Sequence, residues 1–298
     1  MRRVGDEINR IICETLKAKP GDIRDVHVLK DGMTNESFMF TAGNSRYIMR
    51  IPGVGTDSLI NREYEYENYA ALAKTGIDDE PLYLDPKNGY KLTKYIEGSH
   101  NCNAHDFSEV GLCMNMLRKF HSSGLKVDHE FNLFDQIEFY ESLRGSYSVY
   151  DDYQETKRRV LELKEYIDAC PKQRTLCHID AVCDNFLVGE DGIRLIDWEY
   201  AAMQDPHVDV AMFAIYAMYD RENVDRLIDA YFDGKCPDET RIKIYCYIAV
   251  CGLLWSNWCE YKHQLGADFG TYAAGQYRYA EEYSLIAGEM MEECDEAG

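Results

Sequence analysis

The sequence predicts an α+β fold in two lobes, a small antiparallel β-rich lobe followed by a larger, mainly helical lobe. Two observations carry this prediction. Two β-hairpin signals lie within the first 96 residues, and helical periodicity dominates from residue 106 onward. The pattern changes near residues 95–100, so we place the lobes at 1–96 and 97–298. A chain of 298 residues is long enough to bury such a core without disulfide bonds.

The first lobe is predicted to contain, in order, a helix at 5–18, a strand at 26–29, a hairpin over 37–51, a helix at 57–74 and a hairpin over 82–96. Each hairpin is indicated by a short turn between runs of β-forming residues. The turn is Gly43-Asn44 in the first hairpin and Asn88-Gly89 in the second. The second helix is expected to end at Gly76, since glycine commonly follows the last helical residue.

The second lobe is predicted from seven segments with apolar residues at helical spacing, namely 106–123, 133–143, 153–169, 208–218, 222–232, 239–262 and 270–292. Between the third and fourth of these segments, two short apolar runs flank the sequence G-E-D-G at 189–192. This pattern predicts one further hairpin within a lobe that is otherwise helical.

Charge and cysteine usage exclude several classes of protein. The chain has 53 acidic against 32 basic residues, a net charge of −21, and no clustered basic run, which argues against nucleic-acid binding. Its 11 cysteines include no C-x-x-C pair, which disfavours a zinc site. The N-terminal residues lack the apolar stretch of a signal peptide, and the apolar run at 244–255 is short for a membrane span. We therefore expect a reduced, cytoplasmic protein without membrane insertion; the sequence carries no signal for an oligomeric state.

The most informative segment is C-H-I-D-A-V-C-D-N at 177–185. It has the H-x-D-x4-N spacing of a kinase catalytic loop, in which Asp180 accepts a proton from an attacking hydroxyl and Asn185 binds a metal ion that holds phosphate oxygens. Twelve residues after Asn185, Asp197 ends an apolar run and can supply a second metal ligand. The structural alternatives are a turn or cap for Asp180 and an ion pair for Asp197.

With these residues in view, the chain resembles the choline/ethanolamine kinase family, and most closely its bacterial LicA-type branch. These proteins belong with the aminoglycoside phosphotransferases in a protein-kinase-like superfamily. The resemblance covers nearly the whole chain. Besides 177–185, it rests on D-G-M-T-N-E at 31–36, R-I-P-G at 50–53, I-N-R at 60–62 and D-W-E-Y at 197–200. The first of these begins with an aspartate where the family usually has a glycine.

The resemblance implies a protein-kinase-like fold and a phosphotransferase that uses ATP and Mg²⁺. The site residues that it implies are Asp180 as catalytic base, Asn185 and Asp197 as magnesium ligands, Arg50 as a phosphate contact held by Glu65, Thr34 and Asn35 in the nucleotide loop, and Lys94 to Ile96 as the hinge that contacts adenine. Protein kinases and most aminoglycoside enzymes have lysine where this chain has Arg50. The arginine is typical of the choline branch and offers a two-pronged donor with a permanent charge.

Aromatic residues are concentrated in the C-terminal part of the chain. Trp255 and Trp258 are three residues apart and share a helix face. The pair resembles the family's W-x-x-W choline contact, and 268–273 resembles the aromatic segment that follows it. Because aromatic faces attract quaternary ammonium groups, we expect Trp255, Trp258 and Tyr272 to surround the substrate cation, with Glu199 as a nearby carboxylate. The alternative is that the aromatic residues form part of the helical core.

The predicted activity is transfer of the γ-phosphoryl group of ATP to the hydroxyl of choline, giving phosphocholine. Three alternatives stay open: a kinase for another acceptor such as ethanolamine, thiamine or an aminoglycoside, a non-catalytic choline-binding module, and a structural interaction protein. Primary amines favour carboxylates and hydrogen bonds over aromatic faces, so the tryptophan pair favours choline. The intact catalytic-loop residues favour an enzyme.

Overall fold

The computed structural model describes residues 5–31, 35–53, 56, 59–145 and 147–297. These residues form two units. The first comprises the described residues up to His100 together with Gly189–Tyr200, and the second comprises Asn101–Val188 together with the described residues from Ala201 onward. The predicted α+β class, with an antiparallel sheet in the N-terminal region and a mainly helical C-terminal part, is confirmed. The functional division of the chain at residue 96 stays a prediction.

The first unit is built on a five-stranded antiparallel sheet in the order β1-β2-β3-β5-β4. Its strands are β1 (Ile23–Asp31), β2 (Asn35–Ala42), β3 (Ser45–Pro52), β4 (Tyr83–Leu84) and β5 (Lys91–Lys94). Both predicted hairpins of this region are present. In the first, Ala42 pairs with Ser45 across a two-residue turn in which Gly43 has a φ of 61°. Glycine adopts this left-handed conformation without steric cost.

Helix α1 (Asp6–Leu16) supplies the apolar cover of this sheet. Its buried residues Ile11 and Ile12 join a cluster formed by apolar strand residues, namely Phe38, Phe40, Ala42, Met49 and Leu92. Burial of each large apolar side chain contributes about 1.5–3 kcal/mol before entropy is counted. The apolar face of α1 and the apolar residues of the strands therefore pack together in one layer.

Helix α2 (Arg62–Leu72) differs from α1 because polar residues are prominent on its buried face. It begins after Asn61, whose side chain accepts hydrogen bonds from the amides of Glu63 at 3.0 Å and Tyr64 at 3.3 Å. The described residues 59–61 thus precede the helix, which begins later than the sequence pattern suggested. Arg62 and Glu65 are both buried. Buried charges of this kind need partners, and those partners lie in the candidate site.

The second unit contains the other helices, and all seven predicted helical segments are helical in the structure. They are α3 (Phe107–His121), α4 (Leu133–Arg144), α5 (Tyr153–Ala169), α6 (His207–Tyr216), α7 (Arg221–Phe232), α8 (Asp238–Gln264) and α9 (Thr271–Ala297). The remaining strands of the described chain are short. Strands β7 (Thr175–Cys177) and β10 (Ala202–Gln204) belong to the second unit, β9 (Gly192–Leu195) belongs to the first, and β6 (His100–Asn101) and β8 (Phe186–Gly189) span the positions at which the units divide. Strands β7 and β10 pair antiparallel and frame the segment that follows Cys177.

Helix α8 is the central helix of the second unit. It is long and apolar enough to cross a membrane by length and composition, but its most apolar stretch is entirely buried by the protein itself. At Gly252, a Cβ atom would lie 2.7 Å from the carbonyl oxygen of Gln276 in α9. The two helices therefore approach closely at this point, as expected of a core helix in a folded domain. The 11 cysteines are all free thiols.

His207, at the start of α6, makes the folded state sensitive to acid. Burial lowers its pKa to about 4, although Asp205 lies 3.2 Å from its Nδ1 atom and opposes the shift. An unfolded histidine titrates near pH 6.5, so between these two values the unfolded state takes up a proton that the folded state refuses. The contribution of His207 to the free energy of unfolding is therefore fully present above pH 6.5 and is lost as the pH falls toward 4.

We expect His207→Gln to remove this acid sensitivity. Urea unfolding of both proteins at pH 7.5 and pH 5.5 should show that the wild type loses about 1 kcal/mol more than the variant over this interval. Equal losses in the two proteins would mean that His207 takes up its proton as readily in the folded state as in the unfolded state.

Candidate active site

The backbone of the H-x-D segment is fixed by a buried aspartate in the second unit. Asp209, in the first turn of α6, accepts hydrogen bonds from the amide of His178 at 2.8 Å and from that of Ile179 at 2.7 Å. Ile179 has a φ of 68°, which is an unusual conformation for a β-branched residue. Such strain persists only where the surroundings impose it. The hydrogen bonds to Asp209 therefore fix the backbone direction of the two residues that precede Asp180.

His121, the last residue of α3, is a third partner of Asp209. Its Nε2 atom lies 2.9 Å from Asp209 Oδ2, and its Nδ1 atom lies 2.8 Å from the hydroxyl of Tyr231. Both His121 and Asp209 are buried. These residues are 88 positions apart, and no local spacing indicated that they meet.

Asp180 and Asn185, which the sequence singled out as catalytic, lie together in the second unit. The Nδ2 atom of Asn185 donates to the backbone oxygen of Asp180 at 2.9 Å and to its carboxylate oxygen Oδ2 at 3.2 Å. A short 3₁₀ turn over Cys183–Asn185 brings the amide back toward the carboxylate. Both side chains are half-buried, so they are accessible to a substrate. The arrangement presents a carboxylate and an amide oxygen side by side, the groups that proton transfer and magnesium binding need.

The two predicted tryptophans of α8 are in contact with each other. The rings of Trp255 and Trp258 are 5.3 Å apart and nearly perpendicular, and Phe269 lies 5.3 Å from Trp258. The indole nitrogen of Trp255 donates to the sulfur of Met212 at 2.9 Å. Trp255 is 7% and Trp258 2% exposed, so most of the surface of each is already buried by protein. Contact between these rings and a substrate stays a prediction.

Tyr272, near the start of α9, lies close to the catalytic loop. Burial raises its pKa, and the negative charge of Asp180 adds to this effect. Its ring is 5.8 Å from that of Tyr216, whose hydroxyl donates to Asp184 at 2.8 Å. Tyr272 is half-buried and therefore partly accessible. A pair of aromatic rings thus lies at the catalytic loop, within the same unit.

In the first unit, Arg50 is the centre of a cluster of carboxylates. From β3, its guanidinium reaches Glu65 of α2 at 2.6 Å, Asp197 at 2.9 Å and Glu199 at 3.6 Å. Burial on its own lowers the pKa of Arg50, but the three carboxylates outweigh it and raise the pKa above its ordinary value. The pairing of Arg50 with Glu65 agrees with the arrangement expected from the sequence. Arg50 is therefore a fixed, permanently charged donor.

Glu199 is held by cations and an amide within this unit. Arg62 lies 3.0 Å from its Oε2 atom, and Asn35 donates to the same atom at 2.8 Å. Burial raises the pKa of Glu199, and the neighbouring charge of Asp197 raises it further against the effect of the two arginines. The sequence suggested that Glu199 attracts a substrate cation. That role stays a prediction, and Arg62 is a partner of Glu199 that sequence reasoning missed.

The carboxylates of this cluster form a possible metal-binding group. Oxygen atoms of Glu65, Asp197 and Glu199 lie within 4.8 Å of one another. Hard cations such as Mg²⁺ prefer such oxygen ligands. The cluster has one more negative than positive charge when Arg50 and Arg62 are counted, which also suits a cation. Asp197 has a φ of 69°, a strained conformation of the kind found at functional residues.

The remaining predicted nucleotide residues lie near the sheet or beyond the described chain. Thr34 lies outside the described residues. Asn35 is the first residue of β2 and is buried. Lys94 ends β5 opposite Tyr47 and is exposed, and Ile96, two residues further, is half-buried. Their contact with a nucleotide stays a prediction.

Comparison with known proteins identifies the family. The model of the phosphotransferase enzyme family matches residues 25–245, and the chain belongs to this family. Within it, the protein is a choline kinase-like phosphotransferase that uses an alcohol group as acceptor. This confirms the family and the enzyme class predicted from the sequence.

Three relatives show how far the similarity extends. Protein LicA of Haemophilus influenzae is 30% identical over 254 residues, which cover 81% of this chain and 94% of that protein. The crystal structure of choline kinase LicA from Streptococcus pneumoniae has a TM-score of 0.81 and 29% identity, over 94% of this chain and all of that one. A structure of LicA in complex with AMP has a TM-score of 0.79 and 29% identity, over 95% of this chain and 100% of that one.

Proposed function

We propose that this enzyme transfers the γ-phosphoryl group of ATP to the hydroxyl group of choline, with Mg²⁺ as the metal ion. The observation that carries the choice of acceptor is the aromatic pair of Tyr272 and Tyr216, whose rings are 5.8 Å apart and whose Tyr216 hydroxyl donates to Asp184 of the catalytic loop. A permanent cation without a hydrogen-bond donor is bound well by aromatic faces, and its hydroxyl then lies near the base. The similarity to the choline kinase LicA of Streptococcus pneumoniae supports the same acceptor.

Asp180 is the base in this proposal. Its carboxylate orients the acceptor hydroxyl and takes its proton as the bond to phosphorus forms. The hydrogen bond from Asn185 at 3.2 Å and the backbone held by Asp209 restrict the directions that the carboxylate can take. Phosphoryl transfer depends mainly on positioning and charge neutralisation, so this fixed geometry is the chief contribution of the second unit.

Arg50 binds phosphate oxygens, and Glu65 keeps its fork in place. Asn185 and Asp197 are the side chains to which we assign Mg²⁺, and each offers the oxygen that a hard cation prefers. When bound, Mg²⁺ neutralises charge on the transferred phosphoryl and leaving groups. Lys94 to Ile96 provide backbone contacts for adenine, and Thr34 and Asn35 belong to the loop that covers the phosphates.

Trp255, Trp258 and Tyr272 surround the trimethylammonium group, and Glu199 contributes negative charge to its surroundings. One cation–π contact is worth about 0.5–2 kcal/mol, depending on how far the pair is removed from water. Binding of the cation orients the hydroxyl, and the aromatic residues affect the rate through this orientation.

Replacing Trp258 by leucine should raise the KM for choline by roughly 2–30-fold, the range that corresponds to the loss of one cation–π contact. Trp258→Phe retains an aromatic face and should lie between leucine and the wild type. The KM for ATP should stay within about 2-fold, because the change concerns the acceptor alone. Steady-state kinetics with each substrate varied in turn measures both constants.

Tyr283→Leu is the matched control, since Tyr283 is a buried aromatic residue of α9 that the proposal leaves in the core. It should leave the KM for choline unchanged. If Trp258→Leu leaves both Michaelis constants unchanged, the tryptophan pair is core packing and the choline pocket lies elsewhere.

A further inference from the structure

Arg62 is a buried arginine of the first unit to which the proposed mechanism gives no task. Its side chain is 6% exposed. One of its guanidinium nitrogens, NH1, lies 2.9 Å from Glu65 Oε2 and 3.0 Å from Glu199 Oε2. The other, NH2, donates to Asn35 Oδ1 at 3.2 Å. Burial of a charge is costly, and here the cost is offset by contacts to two carboxylates and an amide.

The contacts of Arg62 join two segments that the proposed mechanism uses. Asn35 is the first residue of β2 and belongs to the predicted nucleotide loop. Glu199 lies two residues after Asp197, the proposed metal ligand. Asn35 also donates to Glu199 at 2.8 Å, so the three side chains form a closed ring of polar contacts. A ring of this kind fixes each member more firmly than a single pair, because every side chain has two partners.

Arg62 also shares the carboxylate that holds Arg50. Glu65 directs Oε2 to Arg62 at 2.9 Å and Oε1 to Arg50 at 2.6 Å. Without Arg62, the carboxylates of Glu65, Asp197 and Glu199 would have Arg50 as their remaining arginine. The three carboxylates would then repel one another with less compensation and would compete for Arg50. The Arg50 guanidinium would therefore leave the direction that Glu65 now imposes.

The turn before β5 is shaped around the same two arginines. The carbonyl oxygen of Gly89 accepts a hydrogen bond from Arg50 at 3.1 Å. A Cβ atom at Gly89 would lie 2.5 Å from Arg62 Nε and 2.9 Å from Pro52 Cγ. Only glycine fits here, and its φ of 69° also favours glycine. The hairpin turn thus leaves room for Arg62 and orients Arg50.

We propose that Arg62 is a positioning residue for phosphotransfer. By holding Glu65, Glu199 and Asn35, it keeps Arg50 and the segment of Asp197 in the arrangement that receives the nucleotide. This inference rests on the proposed function for the roles of Arg50 and Asp197. Arg62 itself touches no reacting group.

The test compares Arg62→Met and Arg62→Lys with the wild type. Arg62→Met should lower kcat/KM for ATP by about 100-fold, the size of effect that a small misplacement of reacting groups produces. The KM for choline should stay within about 3-fold. Calorimetric titration with AMP-PNP and Mg²⁺, which needs no turnover, should show weaker nucleotide binding. Arg62→Lys should recover part of both losses, because lysine restores the charge but can satisfy only part of the fork.

Arg10→Met is the matched control, since Arg10 is an exposed arginine of α1 in the same unit. It should match the wild type in every measurement. A melting temperature lowered by Arg62→Met with kcat/KM for ATP unchanged would make Arg62 a purely structural residue and overturn the proposal. Should that variant fail to fold, Arg62→Lys decides. A lowered kcat/KM for ATP at near-wild-type melting temperature and choline KM supports the proposal, and a wild-type value overturns it.

The binding titration separates this inference from the proposed function. A wild-type protein that binds AMP-PNP but does not phosphorylate choline contradicts the proposed acceptor alone. In that case, weaker AMP-PNP binding by Arg62→Met with recovery in Arg62→Lys still supports the positioning role. Equal binding by all three proteins overturns it.

Discussion

Replacing Asp180 by asparagine is expected to lower kcat by about 10²–10⁴-fold, the range that loss of a general base produces. The change keeps the size of the side chain and one oxygen that can accept from Asn185, but it removes the group that takes the proton. Binding of AMP-PNP with Mg²⁺ should stay within about 3-fold of the wild type, since Asp180 is assigned to the acceptor rather than to the nucleotide.

Single-turnover kinetics and calorimetry on the same preparation measure the two effects. Asp191→Asn is the control, because Asp191 is an exposed turn residue with the same chemistry. It should leave kcat unchanged. If Asp180→Asn weakens nucleotide binding as much as it lowers kcat, Asp180 is not the base and its role lies in holding the nucleotide or metal.

The second large effect is expected at Asp209. Asp209→Ala removes the acceptor of the His178 and Ile179 amide hydrogen bonds and the partner of His121 Nε2, all in the interior. Loss of one partner from such a buried network costs about 3–5 kcal/mol. The kcat should also fall, because Ile179 at a φ of 68° is held there by the hydrogen bond that is lost.

Asp209→Asn retains one acceptor oxygen and should cost about 1–3 kcal/mol, the penalty for leaving one buried polar group unsatisfied. Urea unfolding followed by circular dichroism measures both variants. Asp238→Asn, an exposed position in the first turn of α8, should change stability by less than about 0.5 kcal/mol. Wild-type stability in Asp209→Ala would show that the loop is held by other contacts.

Local patterns predicted the elements of the first unit well. The hairpin over residues 37–51 followed from a Gly/Asn turn between β-forming runs, because both the turn and the alternation act over a few residues. The start of α2 was less well predicted. Asn61 caps the N-terminus of this helix through hydrogen bonds of its side chain. The sequence pattern before Asn61 did not indicate that the helix begins only after it.

The residues of the candidate site likewise fall into those that local spacing predicted and those that it did not. Asp180 and Asn185 are five residues apart, so the H-x-D-x4-N spacing predicted that both belong to one loop, in which their side chains are hydrogen-bonded. Asp209 contacts Ile179 from 30 positions away, and Arg62 contacts Asn35 and Glu199 from 27 and 137 positions away. Only the folded structure shows these contacts. The helical spacing of Trp255 and Trp258 predicted a shared face. It could not decide between a core face and a pocket face, because both obey the same period.

The most direct test of the central claim is the initial rate of ADP formation with choline, ethanolamine, thiamine and kanamycin, each with and without Mg²⁺. Phosphorus NMR identifies the phosphorylated product. We expect Mg²⁺-dependent turnover that is fastest with choline and yields phosphocholine. Turnover that is faster with another acceptor, or turnover with choline that persists when Mg²⁺ is removed by a chelator, would contradict the account.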